Sequence, residues 1–94
     1  MNVSLDDRAF ATSRVLCKDL GDEAVLLDLT TETYFGLNAS GSRIWKLVTT
    51  LPTMRQALSI MLEEFEVAPD EMERDMRALI DELVDRGLLR TGNA

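Results

Sequence analysis

Apolar positions along the chain change their period near Asn38. Before it they come in short runs, Arg14–Leu20 (RVLCKDL), Ala24–Leu29 (AVLLDL) and Thr33–Leu37 (TYFGL), separated by Gly21–Asp22 and Thr30–Glu32. Runs of this length bounded by turn residues predict three strands. The second has little polar interruption and is expected at the centre of a simple meander, which leaves the first and third as its two edges.

After Asn38 the spacing becomes three to four. Ile44, Trp45, Leu47 and Val48 mark one face of a helix from Ala39 to Thr49, with Asn38 as its N-cap. Thr53, with Gln56 three residues on, has the capping-box spacing, and Met54, Ala57, Leu58, Met61, Leu62 and Phe65 follow at helical steps. A third helix begins with Pro69 at its first position and with Asp70 and Glu71 at the positive end of its dipole. Gly87 is expected to end it in a left-handed cap that returns Leu88 to Leu83. On this helix Met72, Met76, Leu79, Ile80, Leu83 and Val84 form an apolar stripe along one face. The predicted fold is α+β, a three-stranded antiparallel sheet followed by three helices (βββααα).

A chain of 94 residues makes one domain with a modest core. Residues 1–12 mix charge and small side chains without a period and are expected to be a loose arm, residues 13–90 the single domain, and 91–94 a tail. With 46% hydrophobic and 29% charged residues the composition is that of a soluble globular protein. No apolar run approaches the ~18 residues of a membrane span. The opening MNVSLDDRAF has acids where a secretory signal has basic residues, so a cytoplasmic home without a membrane partner is expected.

Net charge is −7, and no segment is strongly basic: residues 69–94 carry four basic and seven acidic side chains. Binding nucleic acid needs a cationic face that releases counterions from phosphate, so this balance argues against such a partner. Catalytic chemistry is equally poorly supplied. There is no histidine, and one cysteine builds no zinc site. The pairs Glu63/Glu64 and Asp81/Glu82 lie on helix faces beside basic residues, as solvated faces do. Gly21, Gly36 and Gly41 are isolated and match no nucleotide-binding spacing. Cys17, flanked by Val15 and Leu16, is expected to be an inert packed thiol. No enzyme, metal site or cofactor is expected.

The two edge strands differ. The first carries Arg14, Lys18 and Asp19, charges that discourage pairing with another chain. The third, Thr33–Leu37, has neither charge nor proline, and Gly36 permits close backbone approach. An open edge beside an apolar helix meets the physical requirement for capturing an extended peptide: main-chain hydrogen bonds set register, and side chains entering between strand and helix select sequence. The plainer reading makes Tyr34 and Phe35 core residues of a tolerated short edge.

The junction Tyr34-Phe35-Gly36-Leu37-Asn38, followed by Gly41 and Ile44-Trp45, then by Asp75, Leu83 and the closing Gly87-Leu88-Leu89, resembles the PqqD family in order and spacing. These are the small recognition elements for precursors of ribosomally synthesised, post-translationally modified peptides (RiPPs). The resemblance runs from about Val15 to Leu89. It implies three antiparallel strands and three helices related to winged helix-turn-helix, and a non-catalytic protein. It further implies that the leader segment of a precursor peptide adds as a strand to Thr33, Tyr34, Phe35, Gly36 and Leu37. The third helix would contribute Met76, Leu79 and Leu83 as the groove floor, with Asp75 and Arg86 selecting leader charges. The GLN then GSRIW sequence is more similar to free-standing members serving lasso-peptide clusters, whose partners are a leader peptidase and a macrocyclase. The alternative is a chaperone delivering its peptide to a radical SAM enzyme in pyrroloquinoline quinone biosynthesis.

Two rival classes remain. A winged-helix DNA-binding protein would place the third helix in the major groove, but Pro69–Gly87 holds three arginines against seven acids. A homo-oligomeric scaffold would pair the open edge with itself.

Overall fold

The computed structural model describes residues 4–92. Its elements run β1 (Arg8–Ala11), β2 (Val15–Asp19), β3 (Ala24–Asp28), β4 (Thr33–Leu37), α1 (Ala39–Val48), α2 (Met54–Glu64), α3 (Pro69–Asp85) and β5 (Leu89–Gly92). The three predicted strands are β2, β3 and β4, antiparallel in that order with β3 central, and the three predicted helices follow.

Turn chemistry sets the register. Gly21 has φ +90°, the conformation a two-residue hairpin turn asks of its first central residue, and Leu20 N–H donates to Glu23 C=O at 2.9 Å. In the β3–β4 turn the buried Asp28 carboxylate accepts from Thr30 and Thr31 N–H, and pairs with Arg14 at 3.0 Å. The Arg14 guanidinium, assisted by those backbone donors against the opposing effect of burial, lowers the Asp28 pKa to about 2.

Each helix end follows from its residues. Asn38 Oδ1 accepts from Gly41 N–H at 2.9 Å, and Thr53 Oγ1 accepts from Gln56 N–H at 3.3 Å. At the far end of α3, Gly87 takes φ +76°, Leu88 N–H donates to Leu83 C=O at 2.9 Å and Gly87 N–H to Val84 C=O at 3.0 Å, the two bonds of a Schellman cap. The helices cover one face of the sheet. Ala24, Leu26 and Leu37 from that face share a core with Ile44, Trp45, Met54, Met61, Met76, Ile80 and Leu83.

The structure departs from the sequence reading in three places. Within the expected loose arm, Arg8–Ala11 is a strand, paired antiparallel with β5 from Arg8↔Gly92 to Ala11↔Leu89. The arm is also tied to the helices: Leu5 is buried, Leu5 and Asp7 carbonyls accept the Arg55 and Met54 N–H groups at the start of α2, and Thr12 Oγ1 donates to Gly87 C=O at 2.7 Å. Those carbonyls serve donors that a helix start otherwise leaves unsatisfied. Residues 1–3 of that arm lie outside the described residues. Likewise Thr91 and Gly92, expected in the tail, belong to β5, while 93–94 lie outside the described residues. Cys17 is exposed rather than packed, on an edge strand that has a neighbour on one side only. Partial desolvation and then Asp19 push its thiol pKa up, which keeps it a weak nucleophile at the surface.

Candidate functional site

Among the described residues the sheet has two unpaired edges, the charged β2 and the uncharged β4, and the pairing decides which backbone groups of β4 are unused. Leu20 and Glu23 are hydrogen-bonded partners, as are Arg14 and Leu29 through Leu29 N–H to Arg14 C=O at 2.7 Å. An antiparallel ladder alternates, so Val25 and Leu27 bond toward β2, while Ala24, Leu26 and Asp28 bond toward β4. Their partners there are Leu37, Phe35 and Thr33. Tyr34 and Gly36 therefore turn their N–H and C=O groups outward, away from β3.

Side chains on β4 alternate as well. Leu37 is buried and Phe35 half-buried on the helical side, whereas Thr33, Tyr34 and Gly36 are exposed. Beside this edge lies a cleft of about 400 Å³ between β4 and α3. Phe35, Gly36 and Leu37 form its strand wall, and Asp75 and Leu79 its helix wall. Its end is closed by Asn38, Gly41 and Ile44 at the start of α1. A Cβ on Gly41 would stand 3.2 Å from Asn38 Oδ1, so glycine lets the cap close tightly there.

Of the residues expected to form the groove, the structure brings Phe35, Gly36, Leu37, Asp75 and Leu79 together around this cleft. Arg86 lies farther along α3. Its guanidinium stacks 4.7 Å from the Phe35 ring centroid and donates to Glu82 at 3.1 Å, covering the same strand at Phe35. Thr33 and Tyr34 belong to the edge but not to the cleft wall; Thr33 Oγ1 lies 2.7 Å from Thr31 Oγ1. Met76 and Leu83 are a correction. They are 0% and 1% exposed, because they occupy the centre of the α3 stripe, and they support the cleft from within the core without surface of their own. Leu79, at the stripe's margin, is half-buried and is the one of the three that reaches the cleft.

Charge along the cleft is uneven. Asp75 is exposed with no ion-pair partner among the described residues, while Arg86 has Glu82. Among those residues no group of histidine, cysteine, aspartate and glutamate is placed to hold a metal ion, and no helix is long and apolar enough to cross a membrane. Asn38 and Ile44 were read from the sequence as cap and helix face, and Gly41 as an isolated glycine of the family-like junction. What makes them cleft residues is the absence of any linker between Leu37 and the helix, which forces the first turn of α1 against the end of β4.

The family described as "Coenzyme PQQ synthesis protein D (PqqD)" matches residues 23–89, a span that includes β3, β4 and all three helices, and so both walls of the cleft. The chain belongs to the PqqD family. Among solved structures, "TbiB1 in Complex with the TbiA(beta) Leader Peptide" superposes with a TM-score of 0.80 at 36% identity, over 90% of this chain and 98% of that one. No curated protein matches the sequence. As a PqqD-like RiPP recognition element, the chain is a binding protein and not an enzyme.

Proposed function

We propose that this protein captures the leader segment of a ribosomally made precursor peptide by strand addition to β4, and presents it to maturation enzymes. The observation that carries this reading is the coincidence of an unpaired, uncharged edge at Tyr34 and Gly36 with a cleft floored by Leu79. Backbone pairing with those two residues fixes the register, and every second peptide side chain enters the cleft. The leader complex formed by TbiB1, whose fold this chain shares, supports the assignment.

The incoming strand runs antiparallel to β4. Its N-terminal end then lies near Leu37 and Asp75, and its C-terminal end near Thr33 and Arg86. Asp75 favours a cationic side chain at the first end, and the Arg86–Glu82 pair leaves the second closer to neutral. The likeness to TbiB1 and the Gly36-Leu37-Asn38 junction favour a lasso-type pathway with a leader peptidase and a cyclase. The family description favours a second destination, a radical SAM enzyme of quinone biosynthesis.

The test uses the precursor encoded beside this chain's gene, with its leader N-methylated at successive positions. Methylating an amide that faces Tyr34 or Gly36 removes a donor and leaves a carbonyl unpaired, weakening binding by about 1–3 kcal/mol, while methylating its neighbours changes little. A uniform response, or one with a three-to-four-residue period, would mean a side-chain or helical mode and end the strand-addition reading.

A further inference from the structure

The face of the sheet opposite the helices is also apolar. Ala24 and Leu26 of β3 point to the core, and Val25 and Leu27 point the other way. The register sets Leu16, Leu27 and Tyr34 in one row across all three strands, and Lys18, Val25 and Gly36 in the next. Leu16 is 55% and Tyr34 73% exposed. An antiparallel sheet with one solvated face ordinarily carries polar residues there. Here a row of large apolar side chains crosses the uncovered face and stops at Tyr34, on the strand whose outer edge is unpaired.

That edge and that row meet in the same residue. Tyr34 turns its backbone groups outward and its ring onto the uncovered face. Any strand added to β4 must place a residue opposite it, with its side chain on that face and Cβ atoms within about 5.5 Å of each other. Gly36, the other outward-bonding residue, leaves space instead, since a Cβ there would meet nothing within 4 Å. A large cross-strand side chain leaning over such a glycine shields its backbone, as aromatic residues do for glycines in sheets.

We propose that the captured peptide is read on both faces of the sheet: the peptide residue paired with Tyr34 is aromatic or aliphatic and prolongs the Leu16–Leu27–Tyr34 row. The residue two positions earlier, paired with Gly36, is bulky, and the one between them points into the cleft. The ligand class is thus an extended segment with apolar residues at i and i+2 on the outer face, flanking a cleft anchor. This rests on β4 being the capture edge. The peptide is the occupant because the row ends where its backbone would pair, whereas Leu16 lies two strand spacings of ~4.8 Å away, beyond reach of a peptide side chain.

The experiment selects phage-displayed random peptides on the wild-type protein and titrates the winners against Tyr34→Ser and Gly36→Val. Enriched peptides should share the apolar i, i+2 pattern. Their affinity should fall roughly two- to fivefold with Tyr34→Ser. The loss should vanish for a peptide whose own residue at the paired position is serine, the signature of a direct contact in a double-mutant cycle. Gly36→Val should reduce the preference for bulk at the other position. Tyr34 is exposed, so the variant's melting temperature should match wild type, which separates contact from folding. If the winners bind wild type and Tyr34→Ser equally, yet lose affinity with Gly36→Pro, capture at β4 stands and outer-face reading is overturned. If Gly36→Pro has no effect either, or no peptide enriches, the capture reading falls and takes this inference with it. If Tyr34→Ser changes only concentration-dependent self-association on sizing, a second copy covers the face and the inference is likewise overturned.

Discussion

Replacing Gly36 by proline separates the edge from the fold. Proline removes the Gly36 N–H and puts ring carbons in its place. In an interior strand, or at a ladder-facing position, this breaks a sheet hydrogen bond. The register gives Gly36 no such bond to lose: the β3–β4 ladder uses Thr33, Phe35 and Leu37, and the Gly36 N–H faces out. The preceding Phe35 is already in extended strand backbone, the conformation a residue before proline prefers. Proline also narrows the unfolded ensemble relative to glycine. Gly36→Pro should therefore melt close to wild type. For an added strand the same change is severe: one peptide carbonyl loses its donor at about 1–3 kcal/mol, which alone is roughly a five- to 150-fold weaker Kd, and the pyrrolidine ring occupies the approach. Thermal melts read the first effect and calorimetric or anisotropy titration of the leader reads the second. Phe35→Pro is the matched control, since it removes a ladder bond to Leu26 and should lower the melting temperature. Wild-type leader affinity in a folded Gly36→Pro protein would refute strand addition; unfolding of Gly36→Pro with tolerance of Phe35→Pro would refute the assigned parity.

Trp45→Ala should be a folding defect, because a buried indole in the shared core is truncated at about 3–5 kcal/mol in a domain whose whole stability is of order 5–15 kcal/mol; a wild-type urea midpoint would contradict that packing. Leu79→Ala should weaken leader binding by roughly 1–3 kcal/mol while lowering stability less than Met76→Ala, since Leu79 is half-buried and Met76 wholly so; equal affinity in the folded variant would remove Leu79 from the cleft. Asp28 has its pKa depressed from 3.8 to about 2, so the stability it adds is fully present above 3.8 and disappears as pH falls toward 2. Asp28→Asn should lower the melting temperature at neutral pH and flatten the acid limb between those values; parallel wild-type and variant profiles would show the Arg14 pair to be without effect.

The elements were legible because their signals are local. The Asn38, Thr53 and Gly87 caps and the change of apolar period each sit within a few residues, and each is found where the residues indicate. What was not legible depends on partners far away in sequence. Arg8–Ala11 has no alternation of its own that marks it as a strand; it is ordered by β5, some eighty residues later, and by the donors of α2. The α3 stripe shows the same limit. Periodicity grouped Met76, Leu79 and Leu83 on one face, but so broad a stripe has a centre and a margin, and only the angle at which the sheet meets the helix decides which residue is which. The edge parity of β4 was likewise hidden, since it is set by the hairpin at Gly21 and transmitted across β3.

The charge carried by α3 suits the proposed peptide ligand better than it would suit DNA. A recognition helix must bring net positive charge to the phosphates on the side it offers. On α3 the exposed positions include Asp70, Glu71, Asp75, Glu82 and Asp85. Two of its cations are engaged along the helix itself, Arg77 with Glu73 at 3.0 Å and Arg86 with Glu82 at 3.1 Å. Such surface pairs add little stability, but they cancel the field a polyanion would need. A peptide strand makes no such demand. In the proposed mode it would be held by neutral backbone groups at Tyr34 and Gly36 and by apolar contact with Leu79, and the acidic background would weaken only peptides that are themselves strongly acidic. On the proposed reading helix α3 serves as a wall that sorts side chains, while the discriminating geometry lies in the neighbouring strand edge.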